Sequence, residues 1–257
     1  MLLKIANVVG KQCFTLCDTC GSFMLFLIYA LISLFKAPLR VRKLFEQMRT
    51  IGVDSLSIII LTGSATGAIL ALQTYNGFKR FGAEDYIGTI VALSLIRELG
   101  PVLTGLMVAG RAGSAMSAEL GTMQITEQID ALKTLRIDIQ HYLIVPRIIG
   151  SALILPFLTL FSMIFGIIGG YIISVFALGV NGELYKTSIR TYVELSDITG
   201  GLIKAIVFGL ILGWVGCFKG FNTRGGAKGV GISTTQSVVI SSILILVSDY
   251  FLTAFLF

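Results

Sequence analysis

Apolar residues in this chain are gathered into long stretches, which alternate with shorter segments rich in charge and glycine. A stretch of about 20 apolar residues is long enough to cross the hydrocarbon core of a bilayer as an α-helix. The pattern therefore predicts five membrane spans, at residues 53–75, 87–109, 143–179, 201–218 and 237–257. The third stretch is too long for one perpendicular span, so we expect it to tilt or to begin with an interfacial turn.

Residues 1–52 precede the first span and carry two shorter patterns. Residues 2–16 place apolar and polar side chains on opposite sides of a helix, which is typical of a helix lying in the membrane interface. Residues 21–35 are apolar, but as a helix they reach only about 22 Å, short of the ~30 Å hydrocarbon core. We interpret them as interfacial or re-entrant, and we reject a signal peptide because no small-x-small cleavage site follows.

The polar segment 110–142, between the second and third spans, contains a periodic run of apolar residues at 118–135. This periodicity predicts one or two helices outside the membrane, of the kind that docks on a cytoplasmic partner. The alternative is a helix lying on the bilayer, but its glutamates weaken that interpretation because the lipid surface is anionic.

The segment 219–236 is rich in glycine and carries basic residues. It resembles a phosphate-binding loop but lacks the Lys-Ser/Thr pair and a preceding strand. We therefore expect a flexible basic loop at this place.

Composition supports a membrane protein, because 55% of the residues are hydrophobic and 13% are charged, against about 25% charged in a soluble domain. This excludes a soluble enzyme and a free DNA-binding module. The formal net charge of +6 does not indicate a nucleic-acid partner, because cytoplasmic loops of membrane proteins collect Lys and Arg. Segments 36–52, 110–147 and 219–236 hold twelve basic residues against four in the opposing loops. We accordingly place these segments in the cytoplasm and the C-terminus outside.

Side chains that usually carry catalysis or bind metals are scarce in the sequence. Cys13, Cys17 and Cys20 lie on one helical face, and we interpret them as packing residues because no histidine is near. His141 is the only histidine, so no trio of nucleophile, histidine and acid is available. We therefore expect a protein that is not an enzyme and binds no metal.

Charged residues inside the predicted spans are the most informative feature. Arg97 and Glu98 lie in the second span, Lys204 in the fourth and Asp249 in the fifth. A central charge costs about 2.5–3.5 kcal/mol in lipid, so these side chains must face a partner helix or a water-filled cavity. From the residues alone three alternatives stay open: a polar substrate cavity, a proton relay, and buried ion pairs that hold the bundle together.

The first span carries a stripe of small residues, Gly63, Gly67 and Ala71, at every fourth position. Small side chains let a second helix approach closely. We expect the stripe to contact a helix of the same chain or of a second copy.

The residues around Arg97 and Glu98 resemble a family signature. It runs through residues 92–103 (ALSLIRELGPVL), 109–115 (AGRAGSA), 118–123 (AELGTM) and 126–128 (TEQ), with a later GAKGVG at 226–231. Together with the length and the number of spans, these runs resemble the MlaE (YrbE) family, the permease subunits of MCE-type lipid ABC transporters. The resemblance covers essentially the whole chain, residues 1–257, as one permease domain.

The resemblance implies an all-α integral membrane protein with about five transmembrane helices, preceded by N-terminal amphipathic or interfacial helices. A cytoplasmic coupling helix is expected between spans two and three. The implied function is the movement of phospholipid between a bacterial inner membrane and an MCE-domain partner; related proteins serve plastid envelopes.

The same resemblance implies partners for the chain. They are a second copy in a homodimer, a cytoplasmic ABC ATPase that binds ATP, and an MCE-domain protein. No cofactor and no STAS domain is expected in this chain, so any STAS partner is a separate protein.

The resemblance also implies roles for individual residues. Positions that line the phospholipid cavity are matched by Arg97, Glu98, Asp197, Lys204 and Asp249. The segment that meets the ATPase is matched by Arg111, Glu119 and Glu127. We expect Lys204 to be hydrated in a wet cavity, and the two glutamates, eight residues apart, to share a helical face.

Two other classes of function compete with this interpretation. One is an ion-coupled secondary transporter that uses the charges inside the spans as a relay. The absence of a clear internal repeat weighs mildly against it. The other is a membrane-embedded transferase that acts on lipids.

Overall fold

The computed structural model describes residues 17–18, 21–33, 41–82 and 84–257, which are helical almost throughout. The main helices are α1 (Gly21–Ser33), α2 (Val41–Phe78), α3 (Glu84–Ile125), α4 (Gln128–Thr134), α5 (Gln140–Ala177), α6 (Gly182–Tyr192), α7 (Leu195–Phe221) and α8 (Gly226–Leu256). The amphipathic helix expected at residues 2–16 lies outside the described residues, as do Cys13 and Cys20.

Among the described residues, five helices are long and apolar enough to cross a membrane: α2, α3, α5, α7 and α8. This confirms the predicted all-α fold with five spans. The odd number puts the start of α2 and the end of α8 on opposite sides of the membrane, as the distribution of basic residues predicts.

Helix α1 is too short to span a bilayer, at about 20 Å. Its Phe23 stacks on Trp214 of α7 with ring centroids 3.8 Å apart. The indole nitrogen of Trp214 donates a hydrogen bond to the backbone carbonyl of Phe23 at 3.0 Å. Because Trp214 lies in the second half of α7, α1 packs against the end of the bundle that the distribution of basic residues assigns to the cytoplasm.

Three helix boundaries differ from those that hydrophobicity predicts. Helix α2 begins at Val41 rather than after residue 52, so its basic start is not a separate interfacial helix. Helix α3 continues to Ile125, so part of the expected coupling segment simply extends the second span. The flexible loop expected over residues 219–236 is wrong, because α7 ends at Phe221 and α8 begins at Gly226.

The glycines near the start of α8 explain that last difference. Gly225 and Gly226 have φ of 90° and 68°, a left-handed conformation that glycine adopts without a steric penalty. A Cβ atom at Gly229 would overlap the carbonyl group of Arg224. These glycines therefore form a tight connection between two helices and are not a sign of a loop.

Two turns of α3 are π-helical, at Leu95–Leu99 and at Ala109–Gly113. A π turn inserts an extra residue, rotates the residues that follow, and frequently marks a functional site. The first of these turns contains Arg97 and Glu98, and the second contains Arg111.

Helices α2 and α5 pack through small residues, with their backbones nearly in contact. A Cβ atom at Gly67 would overlap the carbonyl of Gly166, and one at Gly63 would lie 2.8 Å from the carbonyl oxygen of Ser162. The small-residue stripe thus contacts a helix of the same chain.

Helix α7 is the most buried span and packs against α3, α5 and α8, whereas α8 is the least buried. Gly201 of α7 passes directly over the backbone of Ile96 in α3. This close approach brings the charged residue three positions later, Lys204, against the first π turn.

Candidate functional site

Five charged side chains from three spans meet in one group, which we call the outer charge cluster. It contains Arg97 and Glu98 of α3, Asp197 and Lys204 of α7, and Asp249 of α8. Lys204 lies nine residues after the first residue of α7, which corresponds to about 14 Å along the helix axis. By the distribution of basic residues this is the outer end, so the cluster lies in the outer half of the membrane.

The ammonium group of Lys204 is the centre of the outer charge cluster and is fully buried. It donates hydrogen bonds to the carboxylate of Glu98 at 2.8 Å, the hydroxyl of Thr253 at 2.8 Å and the backbone carbonyl of Arg97 at 2.9 Å. A carboxylate oxygen of Asp249 lies 3.0 Å away. The expectation of a hydrated Lys204 is wrong, because protein acceptors from α3 and α8 take the place of water around its three donors.

Arg97 is held by Asp197 through two nitrogens. Its Nε and one terminal nitrogen lie 2.8 Å and 2.6 Å from the same oxygen of Asp197. The second oxygen accepts the backbone N–H of Glu194 at 3.0 Å and completes a capping box at the start of α7. The carboxylate of Asp197 is buried, so it fixes the guanidinium and the helix end and does not face an opening.

Arg97 and Glu98 are the members of the cluster that reach the surface. Their side chains are 40% and 37% exposed, against 18% for Asp249. Two cations and three carboxylates leave one excess negative charge in the cluster. The arrangement presents a cation beside an anion, which suits a ligand that carries both signs of charge.

Thr253 is a member of this site that the sequence analysis missed. Its hydroxyl accepts a hydrogen bond from Lys204 and lies 3.1 Å from a carboxylate oxygen of Glu98. The available signal was its position four residues after Asp249, which places both on one face of α8.

Phe257 is a second missed residue. Its ring centroid lies 4.8 Å from the guanidinium carbon of Arg97 and 5.5 Å from the ammonium nitrogen of Lys204. Such positions over an aromatic face stabilise cations. The contact depends on the approach of Phe257 to Gly200 of α7, which no sequence pattern indicates.

Arg111 lies in the second π turn of α3 and faces α2. Its Nε donates to the hydroxyl of Ser55 at 2.8 Å, and one terminal nitrogen donates to the backbone carbonyls of Thr50 and Ile51 at 2.6 Å and 3.1 Å. The carboxylate of Asp54 lies 3.7 Å from the other terminal nitrogen. Arg111 therefore joins α3 to α2, while its predicted role in coupling remains a prediction.

Glu119 and Glu127 do not share a helical face, which corrects the expectation. Glu119 lies on α3 and pairs with Arg147 of α5 at 2.9 Å. Glu127 follows the end of α3, in the turn before α4, with a left-handed backbone of φ 59°. It is exposed, and it forms no ion pair with another described residue. The left-handed turn separates the two glutamates, and Glu127 alone presents an unpaired carboxylate.

Within the parts of the chain that the structure describes, no group of three or more His, Cys, Asp or Glu residues is placed to hold a metal ion. Cys17 is exposed and Cys217 is buried. The Nδ1 atom of His141 lies 3.3 Å from the backbone carbonyl oxygen of Ser33, so this histidine connects α5 to α1.

Comparisons with known proteins agree with this architecture. The family described as Permease MlaE matches residues 44–255. A probable ABC transporter permease protein of Rickettsia typhi is 48% identical over 257 residues, which cover 100% of this chain and 99% of the relative. The intermembrane phospholipid transport system permease protein MlaE of Haemophilus influenzae is 36% identical over 258 residues, with coverage of 100% and 99%.

A plant protein is also similar to the chain. The chloroplastic protein TRIGALACTOSYLDIACYLGLYCEROL 1 of Arabidopsis thaliana is 40% identical over 226 residues, which cover 88% of this chain and 65% of the relative. Since the family match spans most of the five-helix bundle and the bacterial relatives align from end to end, the chain belongs to the MlaE permease family.

Proposed function

We propose that the protein is the transmembrane permease subunit of an ABC transporter that moves phospholipids, and that its outer charge cluster receives the lipid head group. The observation that carries this proposal is the pair of partly exposed, opposite charges on Arg97 and Glu98. The Haemophilus relative, aligned over its whole length, is named as a phospholipid transport permease, which supports the same substrate.

The geometry divides the cluster into contact residues and positioning residues. A zwitterionic head group such as phosphoethanolamine pairs its phosphate with Arg97 and its ammonium with Glu98. Asp197 and Lys204 are buried and hold these two side chains in place. The excess negative charge of the cluster favours a head group that brings an ammonium ion.

The chain works as a non-catalytic subunit, with ATP bound and hydrolysed by a separate cytoplasmic ABC ATPase. That ATPase docks at the turn around Glu127 and at α4, and the motion passes through α3 by way of Glu119 and Arg111. The exposed carboxylate of Glu127 supports this docking place, because it has no ion-pair partner among the described residues.

A second copy of the chain completes the cavity, and the low burial of α8 supports a further packing partner for that helix. An MCE-domain protein on the outer side of a bacterial inner membrane exchanges the lipid, and a STAS-domain protein is a further candidate subunit. No cofactor belongs to the permease itself.

The test is transfer of a fluorescent phosphatidylethanolamine between proteoliposomes that hold the complete transporter and acceptor vesicles that hold the MCE-domain protein. Glu98→Gln should lower ATP-dependent transfer about tenfold, which corresponds to one charge-assisted hydrogen bond. The matched control is Glu183→Gln on the outer helix α6, which removes an exposed carboxylate paired with Lys186 and should leave transfer unchanged.

Retention of the ATPase on the purified permease should be equal in both variants. Transfer that needs an ion gradient and proceeds without the ATPase would contradict the proposal and favour a secondary transporter.

A further inference from the structure

A second polar site lies at the opposite end of the bundle from the outer charge cluster. Glu98 and Glu119 are 21 residues apart on α3, about 31 Å along the helix. Around Glu119 the starts of α2 and α5 and the end of α3 enclose a cavity of about 280 Å³. Its polar lining, which we call the cytoplasmic cleft, consists of Lys43, Glu46, Gln47, Glu119, Tyr142 and Arg147.

Arg147 provides the first sign that the cytoplasmic cleft holds a ligand. Its side chain is 5% exposed, and its two terminal nitrogens bind the carboxylate of Glu119 at 2.9 Å and the carbonyl of Leu143 at 2.7 Å. The Nε atom of Arg147 is buried and has no hydrogen-bond partner among the residues that the structure describes. A buried donor without an acceptor is destabilising, so an oxygen atom of a ligand is expected beside it.

The charge balance of the cytoplasmic cleft indicates an anion. Lys43 lies 3.3 Å from the ring centroid of Tyr142 and has no carboxylate partner among the described residues. The carboxylate of Glu46 already pairs with Arg42 at 3.4 Å, and that of Glu119 pairs with Arg147. The cation of Lys43 is therefore the uncompensated charge.

The surroundings of the cytoplasmic cleft place it at the level of lipid. Val41 and Phe45, on the side of α2 turned away from Lys43, are exposed apolar residues, as expected of side chains that face the apolar side of an interface. Tyrosine and lysine are typical of the membrane–water interface. An anion held here is thus in reach of acyl chains, as the phosphate of a phospholipid is.

We infer that the cytoplasmic cleft binds the phosphodiester of a phospholipid head group from the cytoplasmic leaflet, with Lys43 and the Nε atom of Arg147 as its donors. This site is separate from the outer charge cluster and goes beyond the proposed function. A Cβ atom at Gly150 of α5 would lie 3.2 Å from that of Gln47, so α2 and α5 are in contact beside the cleft. A bound lipid also touches Glu119, and it therefore joins α3 to that helix pair.

The experiment uses the complete transporter in nanodiscs that contain a phosphatidylethanolamine with a photoreactive group on its head group. After illumination, mass spectrometry should find cross-links in peptides that cover residues 41–50 and 140–147. Added phosphatidylglycerol should suppress these cross-links, and diacylglycerol, which has no phosphate, should not. Suppression by inorganic phosphate at the same concentration would overturn a lipid as the ligand.

Two variants test the donors. Lys43→Gln removes the uncompensated charge, and Arg147→Lys removes Nε while keeping a cation for Glu119; each should lower labelling of these peptides about tenfold. The matched control, Arg49→Gln, removes an exposed charge of the same helix that does not line the cytoplasmic cleft and should change labelling little.

Two results would overturn the inference. One is unchanged labelling in both variants. The other is loss of ATPase retention in Lys43→Gln with labelling intact, which would make the cytoplasmic cleft a protein interface. Failure of the outer charge cluster to bind lipid would appear separately, as normal transfer in Glu98→Gln.

Discussion

The ammonium nitrogen of Lys204 lies 2.9 Å from the backbone carbonyl oxygen of Arg97, on a neighbouring helix. Pro101, four residues after Arg97, has no N–H and cannot donate the helical hydrogen bond that this carbonyl usually accepts. Lys204 supplies the missing donor. A lysine inside the membrane thus has a backbone role in addition to its ion pairs with Glu98 and Asp249.

Lys204→Gln should lower stability strongly, because Glu98 and Asp249 lose the cation between them. Removal of one partner from a buried ion pair costs about 3–5 kcal/mol. Thermal unfolding in detergent measures the effect. Adding Asp249→Asn to Lys204→Gln should recover part of the lost stability, since the remaining carboxylate, that of Glu98, still reaches the surface. A double variant that is no more stable than Lys204→Gln would show that Lys204 does not stabilise the bundle through ion pairing.

Pro101→Ala restores the N–H that the carbonyl of Arg97 lacks, so it should make Lys204 less necessary. In a double-mutant cycle with Lys204→Gln, we expect a favourable coupling of about 0.5–3 kcal/mol. The free energies come from chemical unfolding of the four purified proteins. Strictly additive changes in the free energy of unfolding would show that Lys204 does not compensate for the N–H that Pro101 lacks.

Gly67→Ala should destabilise the bundle, because the new Cβ atom would collide with the carbonyl of Gly166. Forced overpacking costs about 1–3 kcal/mol. Gly77→Ala is the matched control on the same helix, where a Cβ atom meets nothing within 4 Å and alanine favours the helix. Equal unfolding temperatures for the two variants would mean that α2 and α5 are not in backbone contact.

Arg111→Lys should weaken the junction between α3 and α2, since lysine keeps the charge but loses the fork that reaches Ser55 and two carbonyls at once. We expect a loss of about 0.5–1.5 kcal/mol, the usual net contribution of a hydrogen bond to stability. Arg42→Lys, an exposed pair with Glu46, is the control. A loss of ATPase retention without a loss of stability would instead assign Arg111 to docking.

Glu127 allows its charge and its backbone to be tested separately. Glu127→Gln removes the exposed carboxylate, and Glu127→Gly also removes the strain of a left-handed side-chain residue. If the carboxylate meets the ATPase, both variants should reduce ATPase retention on the purified permease, although the glycine variant is at least as stable as the parent. Retention that falls in the glycine variant alone would point to the backbone of this turn.

The spans and the identity of the buried charges could be predicted from the sequence, because exposing long apolar stretches to water and placing a charge in lipid both carry a large cost in free energy. Five apolar stretches form five helices, and the four charged residues noted inside them meet at one place. The penalty for an isolated charge in lipid predicts that such residues find partners or water.

The other features of the fold and the site depended on three-dimensional geometry that the spacing of residues along the sequence does not encode. The burial of Lys204 requires the π turn at Leu95–Leu99 and the hydroxyl of Thr253. The shared face expected for Glu119 and Glu127 failed because the helix of Glu119 ends at Ile125 and Glu127 itself has a left-handed backbone. Helix ends beyond the membrane were missed because polar residues continue a helix as well as apolar ones do.

Close contact of glycines along α2 and α5 makes this pair of helices stiffer than the contacts that hold α8. The two backbones are in close contact at Gly63, Gly67 and Gly169. A rotation of one helix against the other would make backbone atoms overlap, so we expect α2 and α5 to move as one rigid unit. Helix α8 contributes Asp249 and Thr253 to the outer charge cluster through side chains alone. A movement that opens this cluster therefore breaks ion pairs and hydrogen bonds along α8. Helix α8 moves in this way relative to α2 and α5, which keep their mutual packing.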